Sequence, residues 1–154
     1  MLVGTIACGK TTLCQRLNHM ALTYRKTQAI EVIHHTIDTP GEYLEHRSLL
    51  RSLMVTSAEV EQVLFLLDAT QTRYMYSPGQ AAAFPVPVAG VVTKVDAASP
   101  EQRAQARELL ALAGAEPVFE LSAVSGEGLE DLLLFLGAPP AEGAEHMDKE
   151  PDER

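Results

Sequence analysis

Cysteine is scarce in this chain, and so is positive charge. Cys8 and Cys14 are the only cysteines among 154 residues. They form no CxxC pair, and no four-ligand metal set can be assembled around them. Such sparing use fits a reducing compartment, so a cytoplasmic location is expected. Lysine and arginine number 12 against 21 aspartates and glutamates, a formal charge of −9. Proteins that track a phosphate backbone carry clustered basic residues, so nucleic acid is not an expected partner. No apolar run approaches the ~18 residues of a membrane span. Met1-Leu2-Val3 leads straight into a glycine motif, with neither the basic region nor the cleavage site of a signal peptide. No internal repeat is present.

What the chain does have is one domain's worth of apolar residues, 46% of the whole. Much of the acidity is local. Residues 137–154 hold six acidic residues against two basic ones, together with Pro139, Pro140 and Pro151. This composition buries no core and is expected to be a disordered acidic tail. The folded domain is therefore expected over residues 1–136.

Within it, apolar runs alternate with helical patterns. Met1 to Val3 is a very short strand, either stunted or continued upstream of this Met. Lys10 to about Asn18 is helical, with Leu13 and Leu17 on one face. Ala29 to Val32 and His35 to Asp38 are short strands, and Pro40-Gly41 is a turn. Leu44 to Ser57 is helical in pattern. Val63 to Leu67, ending at Asp68, and Val88 to Thr93 are continuous apolar runs, as in strands buried on both faces of a parallel sheet. Tyr74 to Pro87 is rich in turn residues and has no clear period. Ser99-Pro100-Glu101 opens a helix that Gly114 terminates. Pro117 to Leu121 is a strand and Leu129 to Leu136 a last helix. The fold class is α/β, a three-layer sandwich around a mostly parallel sheet of five or six strands.

Four motifs carry the chemistry. Gly4-Thr5-Ile6-Ala7-Cys8-Gly9-Lys10-Thr11 matches G-x-x-x-x-G-K-S/T, after a strand and opening a helix, which is the context a phosphate-binding P-loop needs. Its backbone amides can face an anion, and the helix dipole adds to the attraction. Lys10 reaches the β- and γ-phosphates, Thr11 offers a hydroxyl to Mg²⁺, and Thr12 continues the binding run. Asp38-Thr39-Pro40-Gly41 supplies an acid to hold Mg²⁺ and, in the Gly41 amide, a sensor of the γ-phosphate. Thr93-Lys94-Val95-Asp96 follows a buried strand. A carboxylate at Asp96 accepts the N1–H and N2–H₂ of guanine, a pattern adenine lacks, while Lys94 lies along the base. Ser122-Ala123 follows the next strand, and the Ala123 amide is placed for the guanine O6. GTP is thus the expected nucleotide, ATP the alternative, with Mg²⁺ as the metal.

In this order the four are the elements of Ras-like GTPases. The resemblance narrows further. Lys26-Thr27-Gln28-Ala29-Ile30, Ile37 to Glu45, Ser77-Pro78-Gly79 and Val91 to Asp96 resemble the ethanolamine- and propanediol-utilisation P-loop family, over roughly Met1 to Leu136. That resemblance implies a role in catabolism within protein-shelled bacterial microcompartments, with shell or pathway enzymes as partners, and it implies an acetate kinase activity. It also points to Thr27 as the switch threonine that reports γ-phosphate and Mg²⁺.

The departures from a Ras-like pattern are specific. The stretch from Thr27 to Asp38 is short, so a stunted edge hairpin is expected. Glu42 stands where Ras-like proteins carry a water-orienting glutamine. Arg25 and Lys26 are placed to supply charge in cis or to form a solvated loop. Thr93 replaces the commoner Asn. Adjacent His34 and His35 point to opposite faces of an extended chain and do not share a metal. Asp68 is a rival to Asp38 as the magnesium-side acid. Three functions fit these residues: a slow GTPase acting as switch or assembly factor, a phosphotransferase acting on a small carboxylate, and a nucleotide-binding interaction module without turnover.

Overall fold

The computed structural model describes residues 1–18, 31–33, 36–41, 46–71 and 76–137, with the backbone alone for 31–33, 36–38 and 47. The acidic tail beyond residue 137, and with it the division into domain and tail, lies outside the described residues, as do Arg25, Lys26, His34 and His35.

Six strands form one sheet in the order β2-β3-β1-β4-β5-β6. They are β1 (Leu2–Val3), β2 (Glu31–Ile33), β3 (Thr36–Asp38), β4 (Val63–Asp68), β5 (Val88–Thr93) and β6 (Val118–Glu120). Only β2 runs antiparallel, paired with β3. Four α-helices complete the described chain: α1 (Lys10–Leu17), α2 (Arg47–Ser57), α3 (Pro100–Leu112) and α4 (Leu129–Phe135).

The layers follow from the pleat. Along β4, Leu64 and Leu66 join one apolar cluster, with Leu13 of α1 and Leu132 of α4. Val63, Phe65 and Leu67 join the other, with Leu53 of α2 and Leu110 of α3. Alternate side chains of a strand face opposite sides, so both faces of β4 and β5 are buried along all six residues of each strand. That double burial is why both strands are uninterrupted apolar runs. The expected three-layer sandwich is what the chain forms, with six strands.

The small elements shift from expectation, the start of α2 by three residues, from Leu44 to Arg47. Among the described residues β2 and β3 pair over three positions, Glu31 with Asp38, Val32 with Ile37 and Ile33 with Thr36; the expected strand starts at Ala29 and His35 lie outside the described residues. Described helix α2 starts at Arg47, with His46 as a cap that makes no side-chain bond. α3 has the reciprocal cap anticipated from Ser99: the Ser99 hydroxyl accepts from the Gln102 amide, and the Gln102 side chain returns to the Ser99 backbone.

The unassigned stretch before β5 is a core element. Tyr76 is 2% exposed, stacks on Phe65 with ring centres 4.5 Å apart, and leads to a single 3₁₀ turn over Gln80–Ala83. The Tyr76 hydroxyl lies 2.9 Å from the Val3 carbonyl and 2.7 Å from the Leu66 carbonyl, where β1 hands over to the glycine loop. One hydroxyl proton serves one acceptor at a time. Tyr76→Phe is expected to cost about 1–1.5 kcal/mol, the worth of a buried hydrogen bond. Thermal unfolding should then shift down by roughly 3–5 °C; an unchanged midpoint would remove Tyr76 from the loop's support.

Candidate nucleotide site

All the motif residues that the structure describes emerge at the carboxyl ends of β1, β3, β4, β5 and β6. The order β3-β1-β4 places β1 where successive crossovers leave in opposite directions, and such a switch point opens a crevice at the strand ends. The glycine loop sits in it.

The loop is tightly wound. A Cβ on Gly4 would lie 2.5 Å from Cys8 Sγ and 3.0 Å from the Leu66 carbonyl, so no larger residue fits. Ala7 at φ 60° and Gly9 at φ 101° take the left-handed turns that let the chain curl before α1 begins. For Ala7 that conformation costs about 1–2 kcal/mol, and two outside contacts hold it. The Thr93 hydroxyl donates to the Cys8 carbonyl at 2.6 Å, and Lys94 Nζ donates to the Ala7 carbonyl at 2.7 Å. Lys10 is 6% exposed, with Nζ 2.8 Å from the Gly4 carbonyl and 2.6 Å from the Thr5 carbonyl. Its remaining proton has a weak acceptor, Cys8 Sγ at 3.8 Å. Burial pushes the Cys8 thiol up, against the pull of Lys10, so it stays protonated beside the ammonium. Thr11 and Thr12 start α1, half-buried.

The Asp38–Gly41 turn lies against this loop. Asp38 pairs by its backbone with Leu2. Thr39 is buried and donates to the Leu2 carbonyl at 2.7 Å, pinning the turn to β1. Gly41 seats directly on Ile6: an added Cβ would run into the Ile6 nitrogen and lie 2.6 Å from its Cα. Ile6 remains 41% exposed beyond that contact. Thr27 and Glu42 lie outside the described residues.

The loops after β5 and β6 flank the other side. Asp96 lies exposed in a 3₁₀ turn over Val95–Ala97, and its carboxylate bonds to none of the described residues. Next to it, the Ser122 amide donates to the Glu127 carbonyl and the Gly126 amide to the Ser122 carbonyl, while the Ala123 amide donates to no described residue. An acceptor and a donor are thus open on neighbouring loops. Thr93, by contrast, is 3% exposed with its hydroxyl turned to the glycine loop. It braces the glycine loop and does not face outward.

Asp68 has a different occupation from the one considered for it. Its Oδ2 pairs with Lys94 Nζ at 2.7 Å, and its Oδ1 accepts from the Thr70 amide at 2.8 Å and the Thr70 hydroxyl at 2.6 Å. Both oxygens are committed, so Asp68 serves as the counter-ion of Lys94, while Asp38 is described by its backbone alone. A carboxylate that bonds its own backbone two residues on is a recognisable turn signal, and Asp68-Ala69-Thr70 carries it. Two arginines were also not anticipated. Arg16 donates to the Ala123 and Val124 carbonyls, and Arg103 joins the Val95 carbonyl to Glu127. No cluster of three or more histidine, cysteine or acidic residues able to hold a metal occurs among the described residues. Among them, no helix is long and apolar enough to cross a membrane.

Known proteins share both the chain and the fold. The family model described as ethanolamine utilisation – propanediol utilisation (PduV-EutP) matches residues 1–138. The propanediol utilization protein PduV of Citrobacter freundii is 42% identical over 138 residues, 90% of this chain and 92% of that one. The probable acetate kinase EutP of Salmonella typhimurium is 30% identical, over 88% of this chain and 87% of its own. Among solved structures, a bacterial selenocysteine-specific elongation factor, EF-Sec, superposes with a TM-score of 0.65 at 22% identity. Elongation factor SelB of Methanococcus maripaludis, solved with the GTP analogue GppNHp, gives 0.62 at 20%. Each covers 88% of this chain, which in turn spans only 27% and 32% of those longer proteins, so the likeness is one of fold. The chain is therefore a P-loop protein of GTPase-like fold and belongs to the PduV-EutP family of ethanolamine and propanediol utilisation.

Proposed function

We propose that this protein binds GTP with Mg²⁺ and hydrolyses it slowly, as a switch or assembly factor of an ethanolamine- or propanediol-utilising system in the cytoplasm. Microcompartment shell or pathway enzymes would be its partners. The observation that carries the reading is the pairing of a buried Lys10 in a glycine cradle with an open Asp96 carboxylate and an open Ala123 amide at the same sheet edge. A triphosphate suits the first and a guanine the other two.

The cradle has the properties the ligand needs. A side chain at Gly4 would fill it, and left-handed residues at Ala7 and Gly9 turn the backbone there. Gly4 to Thr12 would hold the phosphates, and Lys94, Asp96, Ser122 and Ala123 the base. Mg²⁺ would fall to the Thr11 hydroxyl, with Asp38 and Thr27, and would neutralise charge on the transferred phosphoryl group. Lys10 supplies the fixed positive charge on this chain's own side. Gly41, packed on Ile6 of the glycine loop, would offer its amide to a γ-phosphate.

Slow turnover follows from two residues. Ile6 occupies the third loop position, in contact with Gly41 and 41% exposed, and a β-branched side chain there would fill the space that an activating arginine needs. Glu42 offers a carboxylate in place of the amide that orients water, and a carboxylate beside a triphosphate is repelled. An arginine supplied in trans is worth about 10³–10⁵ in rate where it operates, and Ile6 and Glu42 together argue against one here. Single-turnover hydrolysis should be slow in the wild type, rise at most modestly in Ile6→Gly, and persist in Glu42→Gln. A fast wild-type rate, or a hundredfold loss in Glu42→Gln, would make Glu42 a catalytic base and reverse this account.

A second reading rests on the curated relatives named as probable acetate kinases. Phosphoryl transfer to a carboxylate needs positioning and charge neutralisation, which the same Lys10 apparatus supplies. It also needs a cation for the acceptor. Among the described residues, Lys94 is paired with Asp68, and Arg16 is bonded to loop carbonyls. Turnover with GTP or ATP, with and without acetate, separates the readings. GTP hydrolysis independent of acetate supports the first; acetyl phosphate production from ATP supports the kinase; binding without turnover leaves an interaction module.

A further inference from the structure

Helix α1 reaches the candidate site from both of its ends. Its first turn presents Lys10 and Thr11 to the phosphate loop. Six residues on from Lys10, about 9 Å along the axis, stands Arg16. Its Nε donates to the Ala123 carbonyl at 2.7 Å and a terminal nitrogen donates to the Val124 carbonyl at 2.9 Å. These bonds span more than 100 residues of sequence and grip two consecutive peptides of the Ser122–Gly126 loop.

The rest of that loop is closed on itself. The Ser122 amide bonds the Glu127 carbonyl at 2.9 Å, the Gly126 amide the Ser122 carbonyl at 2.8 Å, and the Ser125 amide the Ser122 hydroxyl at 3.1 Å. The Ala123 amide shares its peptide plane with the Ser122 carbonyl, which the Gly126 amide holds, and Arg16 anchors the next two peptides to α1, so the loop that carries this amide is tied on both sides; the amide itself is not used by any described residue. A backbone N–H at this point accepts a purine with an oxygen at position 6 and opposes one with an amino group there, because two donors would meet.

We propose that Arg16 is a positioning residue for base selection: it aims the Ala123 amide at the 6-oxo group from the same helix that carries the phosphate ligands. A guanidinium fork suits this task, since its donors are fixed in one plane and span two carbonyls, whereas an ammonium is a single point. The inference rests on the guanine-nucleotide reading and sharpens it. Asp96 recognises the 1- and 2-positions, and the loop held by Arg16 recognises the 6-position.

Dissociation constants for GTP, ITP and ATP with Mg²⁺ in wild type, Arg16→Ala and Arg16→Lys test it. One well-placed hydrogen bond is worth roughly tenfold in affinity. Arg16→Ala should lower the GTP:ATP affinity ratio about tenfold, and Arg16→Lys should fall between it and wild type. The GTP:ITP ratio should not move, since those two differ only at the 2-amino group that Asp96 reads. Amide exchange over residues 122–126 of the nucleotide-free protein should quicken in Arg16→Ala while β5 stays protected. Equal losses for GTP and ATP, an unmoved GTP:ATP ratio, or unchanged exchange in the loop would overturn the proposal. A wild type that binds GTP and ATP alike would instead remove the guanine reading itself, and this inference with it.

Discussion

Lys10→Ala is expected to weaken GTP–Mg²⁺ binding by at least about a hundredfold. A charge-assisted hydrogen bond is worth roughly 1.5–3 kcal/mol. Lys10 adds a second effect, because its ammonium bonds the Gly4 and Thr5 carbonyls and so braces the cradle before any phosphate arrives. Its third proton faces only the weak acceptor Cys8 Sγ, and a phosphate oxygen would replace that contact with a charged one. Calorimetric titration gives the constant directly. Thermal unfolding gives a check: the wild type should be stabilised by saturating GTP and the variant should not, since only a ligand bound to the folded state raises its stability. A variant that binds as tightly as wild type would show that the glycine loop does not hold phosphate.

Asp96→Asn should remove most of the preference for GTP while leaving ATP binding near its wild-type value. The carboxylate offers two acceptors to the N1–H and N2–H₂ of guanine; the amide keeps one acceptor and turns a donor toward the base. Sites that bury such bonds reject mispaired analogues by 10⁴–10⁵. Asp96 is exposed, however, so solvent screens part of the effect, and a loss of roughly 10²-fold in GTP affinity is the better expectation. Competition binding with both nucleotides measures it. Equal GTP affinity in the two proteins would place base reading elsewhere.

How far the sequence foretold this depended on the range of each interaction. Val63 to Leu67 and Val88 to Thr93 were legible because burial on both faces leaves an unbroken apolar run. The α3 start was legible because a capping box is local. The hairpin was legible only as two short strands, since such strands have too little alternation to fix a register, and pairing with β1 sets the place of β3. The stretch around Tyr76 had no period to read, because its place is set by stacking on Phe65 and by two carbonyls of other strands. In the site, the glycine loop and the Thr93–Asp96 motif were visible as contiguous patterns. The braces were not. Thr93 on Cys8, Lys94 on Ala7, Arg16 on Ala123 and Arg103 on Val95 all end on backbone carbonyls, and a carbonyl leaves no mark on the residue that bears it. Thr93 illustrates the consequence: the motif placed it with the base, while its hydroxyl serves the phosphate loop.

The central claim is that one site holds a triphosphate and selects guanine. Competition between GTP and ATP for the wild-type protein, in excess Mg²⁺, tests it most directly. The account predicts GTP to bind at least about a hundredfold more tightly, the share expected of an exposed carboxylate acting with one backbone donor. Equal affinities, or tighter binding of ATP, would contradict it.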